Sequence, residues 1–475
     1  MSPTTNPPHI AIIGAGITGL TLAAGLEARG VPYTVYERAR TREAIGSGGA
    51  GIGLSPNAER ALNLLSPAAA EAYEGVANPN GEDYFQWVDG LSREVYYRLF
   101  VGEGRFRGCR RADLLEEVLG RLPGGRVVFG KALREVRDGR EGEGEGEGEG
   151  EGVRLVFEDG TEEAADAVIG CDGIRSRLRT LLFGAGSAAT YSRKYSFRAL
   201  IPMEQAAAAL PQHMINTRYM YNGPGAHVIT YPVANSTVLN ALVVVSDPSP
   251  EWHPPAGTRN PHVGVATAEE ARAAFEGWHP DIRAVVGLLP PAEMDKWAIF
   301  DMVENPVPRY HGGGSETETE GARGVGVGVG VGAGAGRVTC LAGDAAHACG
   351  PHLGAGAGFG IEDAYLLAEL LLTVVQEQEG VVDGVGADGG KPSTKTTLGQ
   401  RLAAAFGVYS EVRYDRTQWL VRHTREAVDL FQWKDRDLSR SAEGFGREIT
   451  WRFHEIWHYD VEEMVEEARR KLAEV

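Results

Sequence analysis

The chain has 475 residues, 43% of them hydrophobic and 24% charged, with a formal net charge of −18. That length exceeds what one hydrophobic core usually serves, and the composition excludes disorder throughout. The acidic balance argues against nucleic acid or anionic membrane surfaces as partners.

The four cysteines, Cys109, Cys171, Cys340 and Cys349, form no CxxC pair, so neither a zinc site nor a disulfide framework is indicated and no metal is expected. Residues 1–10 lack a basic segment followed by an apolar core, and no apolar run reaches the length of about 18 residues needed to span a bilayer. A cytoplasmic location without membrane insertion is the expectation.

Residues 9–13 read as a strand, 14–19 as a glycine turn, the stretch to about residue 29 as an amphipathic helix and 33–36 as a second strand. This is a βαβ unit, which implies parallel strands with a right-handed crossover. Gly14-Ala15-Gly16-Ile17-Thr18-Gly19 lies between that strand and that helix, the context that gives GxGxxG its meaning. Gly14 permits the tight turn, Gly16 lets the backbone approach a pyrophosphate, and Gly19 allows close helix–strand packing. Glu37, at the end of the second strand, suits a ribose and disfavours a 2′-phosphate, so the ligand expected here is FAD or NAD(H).

Strand-like segments at 133–136 and 153–157 flank six Glu-Gly repeats at 141–152, which read as a solvated, enlarged hairpin tip. An apolar strand at 167–170 then delivers Asp172 and Gly173 into a turn before a basic helix; alone, this reads first as an Asx turn capping that helix and decides nothing. Short β-rich runs from 195 to 245 suggest a separate sheet. The Gly/Val/Ala alternation at 324–336 reads as a loop leading into a strand at 337–341, since glycine at every second position weakens a strand. A strand ending at Asp344 and the run Pro351-His352-Leu353-Gly354-Ala355-Gly356-Ala357-Gly358 open a helix whose free amides face an anionic group. A third low-complexity stretch covers 384–397, and helical periodicity follows from 398.

Taken together, the Gly14–Gly19 fingerprint, the Asp172-Gly173 turn and the Gly343-Asp344 to Ala357 segment resemble the single-component aromatic flavoprotein monooxygenases, with fungal phenol-dearomatising hydroxylases and salicylate hydroxylases as the nearest likeness. That resemblance implies an α/β fold: a Rossmann-like FAD-binding domain assembled from 1–80, 101–185 and 301–400, a mostly antiparallel substrate-domain sheet from 81–100 and 186–300, and a helical C-terminus at 401–475. It implies cofactor contacts from Gly14, Gly16, Gly19, Glu37, Arg38, Gly51, Ile52, Arg111, Asp172, Gly343, Asp344, Pro351, Gly354, Ala355, Gly356 and Ala357. Within that set, Asp344 would hold the ribityl chain, Arg111 would touch the flavin, and Asp172 would serve both FAD and a visiting nicotinamide.

The same likeness places Arg198 and Tyr231 on a phenolate; His347 and His352, beside the flavin motif, read as helix-capping or packing residues and stay outside the catalytic set. The implied activity is hydroxylation of a phenolic substrate with O2 through a flavin C4a-hydroperoxide, with NADPH or NADH as transient reductant, by a monomer or homodimer. Decarboxylative hydroxylation of a salicylate-like acid and alkene epoxidation are alternatives within the class. A non-catalytic flavin-binding sensor is the alternative outside it.

Overall fold

The computed structural model describes residues 7–46, 51–102, 106–139, 152–254, 260–290, 294–312, 331, 333–383 and 396–475. Strand Ile10–Ile13 sits in the middle of a five-stranded sheet ordered Thr339–Leu341, Ala167–Gly170, Ile10–Ile13, Tyr33–Glu37, Val127–Phe129, with every pairing parallel. All four residues of Ile10–Ile13 and of Ala167–Gly170 are buried. Continuous apolar runs are what a parallel strand covered on both faces requires. Helices Ile17–Ala28 and Gly356–Asp383 pack against one another beside this sheet.

Strands Leu133–Asp138 and Val153–Phe157 pair as the expected antiparallel hairpin, joined by a third strand, Glu162–Ala165. Most of the Glu-Gly tract, at 140–151, lies outside the described residues, as do 384–395 and most of 324–332. Two boundaries differ from the sequence expectation. Ala333–Arg337 is a helical turn rather than a loop, and the strand begins at Thr339. Contact with the hairpin decides this, because Ala335 is fully buried and its amide donates to Asp138 Oδ1 at 2.5 Å. That strand also ends at Leu341 and not at Asp344, which opens the short helix Asp344–His347; Gly343, at φ +60°, breaks the extended path between them.

The second sheet is larger than the run 195–245, because the chain returns to it from both sides. Its order is Val263–Ala266, Met294–Asp301, Thr190–Pro202, Val238–Ser246, Ala226–Val233, Tyr219–Gly223, Tyr84–Asp89, Val95–Phe100, antiparallel except for Tyr219–Gly223 beside Tyr84–Asp89. Strand alternation gives it two faces. Phe197, Val228, Val243 and Tyr221 pack on one face with Phe275, Trp278 and Ile282. On the other face Phe85, Trp87 and Met220 pack with Leu353 and Ala355 and with Phe431, Phe445 and Phe453 of helices Leu398–Phe431 and Ala442–Trp457. The C-terminal helices and the glycine-rich segment around residue 354 therefore cover the same side of the eight-stranded sheet.

Helix Leu398–Phe431 starts at Thr397, whose side chain and that of Gln400 form a reciprocal capping box. The four cysteines are all free thiols. Among the described residues no helix is long and apolar enough to cross a membrane.

Candidate active site

The carboxyl end of strand Ile10–Ile13 opens onto the glycine turn. Gly14 has φ +104°, and a Cβ there would lie 2.5 Å from the Cys171 carbonyl oxygen; a Cβ on Gly19 would lie 2.0 Å from the Gly14 oxygen. Neither position admits a side chain, whereas a Cβ on Gly16 meets nothing within 4 Å, so the backbone there faces open space. The helix it starts has no side-chain cap and no acidic residue in its first turn, leaving its amides and positive dipole end free for an anion. Glu37 Oε2 accepts from the Ala15 amide and Oε1 from the Ala39 amide, each at 2.7 Å, which fixes the carboxylate at the rim of the turn. Arg38, beside it, is exposed.

Asp172 both caps and points elsewhere. Its Oδ2 accepts from the Arg177 amide at 2.7 Å and the Leu178 amide at 3.2 Å, which is the capping role. Its Oδ1 is buried with no hydrogen-bond partner, and burial pushes the carboxyl above its ordinary value against these hydrogen bonds. Arg179 ties this turn to the third motif by donating from Nη1 to the carbonyls of Asp344 and Ala345 at 3.3 and 2.8 Å.

The third motif is held from behind. Asp363 Oδ2 accepts from the Gly343 amide at 2.9 Å and lies 2.6 Å from His347 Nε2, while Arg413 Nε donates to Asp363 Oδ1 at 2.7 Å and its Nη1 to Glu362 Oε2 at 2.6 Å. Arg413, Glu362 and Asp363 are fully buried. Burial alone would raise the Asp363 carboxyl, but His347 and Arg413 outweigh it and hold it well below the usual range. Asp344 itself stays open to solvent although protein surrounds it; loss of surrounding water raises its carboxyl against the pull of His347, Arg111 and Arg179. Pro351 begins a short 3-10 turn, Gly354 takes the left-handed conformation at φ +64°, and Gly356 and Ala357 open the helix running to Asp383, with Ala355 buried just before it. His352 is buried against His227, ring centroids 5.5 Å apart.

Strand Gly51–Leu54 joins the two halves of the site. It pairs with Arg107–Arg110, setting Ile52 opposite Cys109, and the Gly51 amide donates to Asn240 Oδ1 of the eight-stranded sheet at 2.8 Å. A Cβ on Gly51 would lie 2.7 Å from the Tyr231 hydroxyl. Arg111 follows the partner strand and donates to the Ile45 carbonyl at 3.2 Å; burial lowers its guanidinium while Asp344 and Glu37 hold it up.

Arg198 and Tyr231 lie on the sheet face that the glycine-rich segment covers. In register, Arg198 is opposite Leu242 and Tyr231 opposite Asn240, the alternate phase to Phe197 and Ala241 on the far face. Arg198 stacks over Trp297 at 4.8 Å. Burial lowers its guanidinium, Arg111 lowers it further, and Tyr231 opposes both. Burial holds the Tyr231 hydroxyl well above its ordinary value, so it carries its proton at neutral pH.

The structure thus brings Glu37 and Asp344 near Arg111, Arg111 near Arg198, and Tyr231 near both Arg198 and Gly51. It adds three residues that sequence reading passed over: Asn240, Arg218 and the buried clamp Arg413. Arg218 had a visible signal, a lone charge in phase with Met220 and Asn222 and out of phase with Tyr219 and Tyr221. Arg413 had none, since its carboxylates are 50 residues or more away in sequence.

A model of the FAD binding domain matches residues 333–381, the third motif and its helix. A FAD-dependent monooxygenase of Aspergillus niger is 40% identical, the match covering 98% of this chain and 96% of that one. A FAD-dependent monooxygenase of Monascus ruber is also 40% identical over 98% of this chain and 97% of its own. A salicylate hydroxylase of Sarocladium schorii is 36% identical over 98% of this chain and 90% of its own. Among solved structures, a salicylate hydroxylase in complex with its substrate superposes with a TM-score of 0.74 at 27% identity, covering 97% of this chain and 98% of that one.

Proposed function

The chain belongs to the FAD-dependent monooxygenases, and from that premise we propose that it hydroxylates a phenolic aromatic compound in the recess between Arg198, Tyr231 and strand Gly51–Leu54. NADPH or NADH supplies two electrons as a transient reductant, one atom of O2 enters the substrate and the other leaves as water. Dearomatising hydroxylation in fungal secondary metabolism is the setting that fits these relatives.

The residues present fit FAD. Gly16 offers bare backbone to a pyrophosphate and the following helix an uncapped N-terminus. Glu37, with Arg38 beside it, would hold the adenosine ribose. Asp344 and Gly343 would hold the ribityl chain. The orphaned Oδ1 of Asp172 awaits a donor from a ligand, as a buried unpaired oxygen otherwise costs free energy. Arg111, Gly51, Ile52 and the Pro351–Ala357 turn would border the ring, and the amides after Gly354 would offer it positive dipoles. Bound FAD supplies the redox chemistry and the activation of O2, and the protein supplies placement and exclusion of water.

One observation carries the substrate reading: Arg198 and Tyr231 share the sheet face that meets the Gly51 strand, and no described carboxylate pairs with Arg198. Arg198 favours the ionised phenol, the electron-rich form of the ring, and the Tyr231 hydroxyl donates to the phenolate oxygen. The test is a screen of small phenols for stimulated NAD(P)H consumption by the holoenzyme, followed by mass analysis. A product heavier by one oxygen is expected; NAD(P)H oxidation that no aromatic compound stimulates would exclude the reading and favour a flavin-binding sensor.

A further inference from the structure

Arg218 lies one residue ahead of strand Tyr219–Gly223, on the face of the sheet that carries Met220 and Tyr231. Extending the observed register by one step puts it opposite Tyr231 on one side and Phe85 on the other. Its guanidinium stacks 3.7 Å over the Phe85 ring and 5.5 Å from Trp87. The side chain is 4% exposed, Nη1 is buried with no hydrogen-bond partner, and no described carboxylate pairs with it. Burial pulls this guanidinium down to about 9, and Tyr231 is the group that opposes the shift.

A desolvated cation without a counter-ion is among the costliest things a fold can contain. Stacking on Phe85 and Trp87 offsets only part of that cost. Buried arginines away from this sheet face do not share the predicament: Arg413 holds two carboxylates and Arg179 donates to four backbone carbonyls, whereas Arg198, on the same face, shares it. Leaving Arg218 unpaired next to Tyr231 makes sense where its counter-ion arrives with a ligand.

We infer that Arg218 is a substrate-binding residue that receives a second anionic oxygen of the aromatic substrate, a carboxylate or an ionised ring hydroxyl, beside the phenolate held by Arg198 and Tyr231. The inference rests on the phenol-hydroxylase reading above and narrows its substrate class to aromatics with two acidic oxygen functions. With Arg198 three strands away on the same face and Tyr231 on a strand between them, the three side chains would bracket such a molecule from its two oxygen-bearing positions.

The test titrates the FAD-loaded protein by flavin absorbance with two ligand pairs. The pair 2,4-dihydroxybenzoate and 2,4-dihydroxybenzamide isolates a carboxylate; 2,4-dihydroxybenzaldehyde and 4-hydroxybenzaldehyde isolate a second hydroxyl. The wild type should bind the more acidic member of at least one pair about tenfold or more tightly. R218M should abolish that preference while the neutral or monohydroxy member keeps its Kd within about threefold, and R218K, keeping a cation without the fork, should retain part of it. If R218M yields no holoenzyme, R218K carries the test through its intermediate ratio. The inference alone is overturned if phenols bind the wild type but neither pair is discriminated, or if R218M or R218K leaves the parent ratios unchanged. If no phenol perturbs the wild-type flavin or stimulates NAD(P)H consumption, the phenol reading falls and this inference with it.

Discussion

On the nucleotide side of the recess most charged groups already have protein partners: Glu37 holds two backbone amides, Asp363 holds Gly343 and His347, and Arg413 clamps Glu362 and Asp363. On the sheet side Arg198 and Arg218 have aromatic rings for neighbours and no carboxylate among the described residues. The satisfied groups build the cradle, and loss of the fully buried ones, Arg413 and Asp363, should register as stability. The unsatisfied groups await a ligand, and their loss should register in binding and coupling. Asp172 Oδ1 and Asp344 are the exceptions on the nucleotide side, and both sit where the cofactor is proposed to lie.

The sharpest way to break this contrast is Arg413→Ala. Removing Arg413 from a fully buried ion cluster leaves Glu362 to Arg416 and Asp363 to His347 and the Gly343 amide, at a cost of up to about 3–5 kcal/mol, enough to unfold a marginal protein. Chemical denaturation of the apoprotein should show that loss, and an unchanged midpoint would mean that the clamp is not structural. The same cluster predicts acid sensitivity. The carboxyls of Glu362 and Asp363 are depressed in the folded chain, the first by Arg416 and Arg413 overcoming burial and the second by His347 and Arg413 overcoming it. Their contribution is complete above the ordinary carboxyl range and is lost as pH falls through and below it. Asp363→Asn should therefore destabilise at pH 7 and flatten the decline towards acid.

Arg198→Ala tests the other side. Stability should change by less than about 1 kcal/mol, because no ion pair is broken. With the phenol found by screening, the variant should still oxidise NAD(P)H but release hydrogen peroxide, the ratio of product to NAD(P)H falling about tenfold or more as the ring loses its charge partner and its alignment. Tyr231→Phe should lower that ratio less, since it removes one hydrogen bond and keeps the contact with Phe106. A parent ratio in Arg198→Ala at saturating substrate would make Arg198 a structural residue and end the phenolate assignment.

Glu37→Gln should have an intermediate effect. One of its two amide contacts becomes a neutral hydrogen bond or is lost, and the proposed ribose contact weakens, so FAD affinity should fall about tenfold with little change in apoprotein unfolding. Equilibrium dialysis against FAD measures this, and undiminished retention would place the adenosine ribose elsewhere.

The parts most legible in the sequence are those whose signal is local. Gly19 is fixed within the turn by the Gly14 carbonyl, and the parallel core strands read as unbroken apolar runs; Gly14 is closed by the distant Cys171 and is legible through its motif alone. What stayed hidden depends on distant pairing. The eight-stranded sheet draws on segments from 84 to 301, so which residues share a face with Tyr231 follows from a register that no short window contains. Ala333–Arg337 misled for the same reason: its helical turn is settled by Asp138 and by burial of Ala335, not by its glycine spacing.

The smallest effect is expected where neither principle operates, at the Glu-Gly tract. The hairpin that carries it is closed by described residues: Asp138 pairs with Val153, and the Gly139 amide donates to the Gly152 carbonyl at 3.1 Å. Its contribution to the core lies earlier in the strands, where Val136, Leu155 and Phe157 are buried. Segment 141–151 contributes six glutamates and no apolar side chain, so it has nothing to bury and like charges that repel one another. Replacing it with a two-residue Asn-Gly turn shortens the loop to one compatible with an antiparallel pair and removes loop-closure entropy. The variant should unfold within about 0.5 kcal/mol of the parent and keep its FAD content and coupling ratio. A marked loss of FAD or of coupling would show that the acidic tract makes a contact with the site, and would extend the unsatisfied side of the molecule to a segment whose composition gives no sign of it.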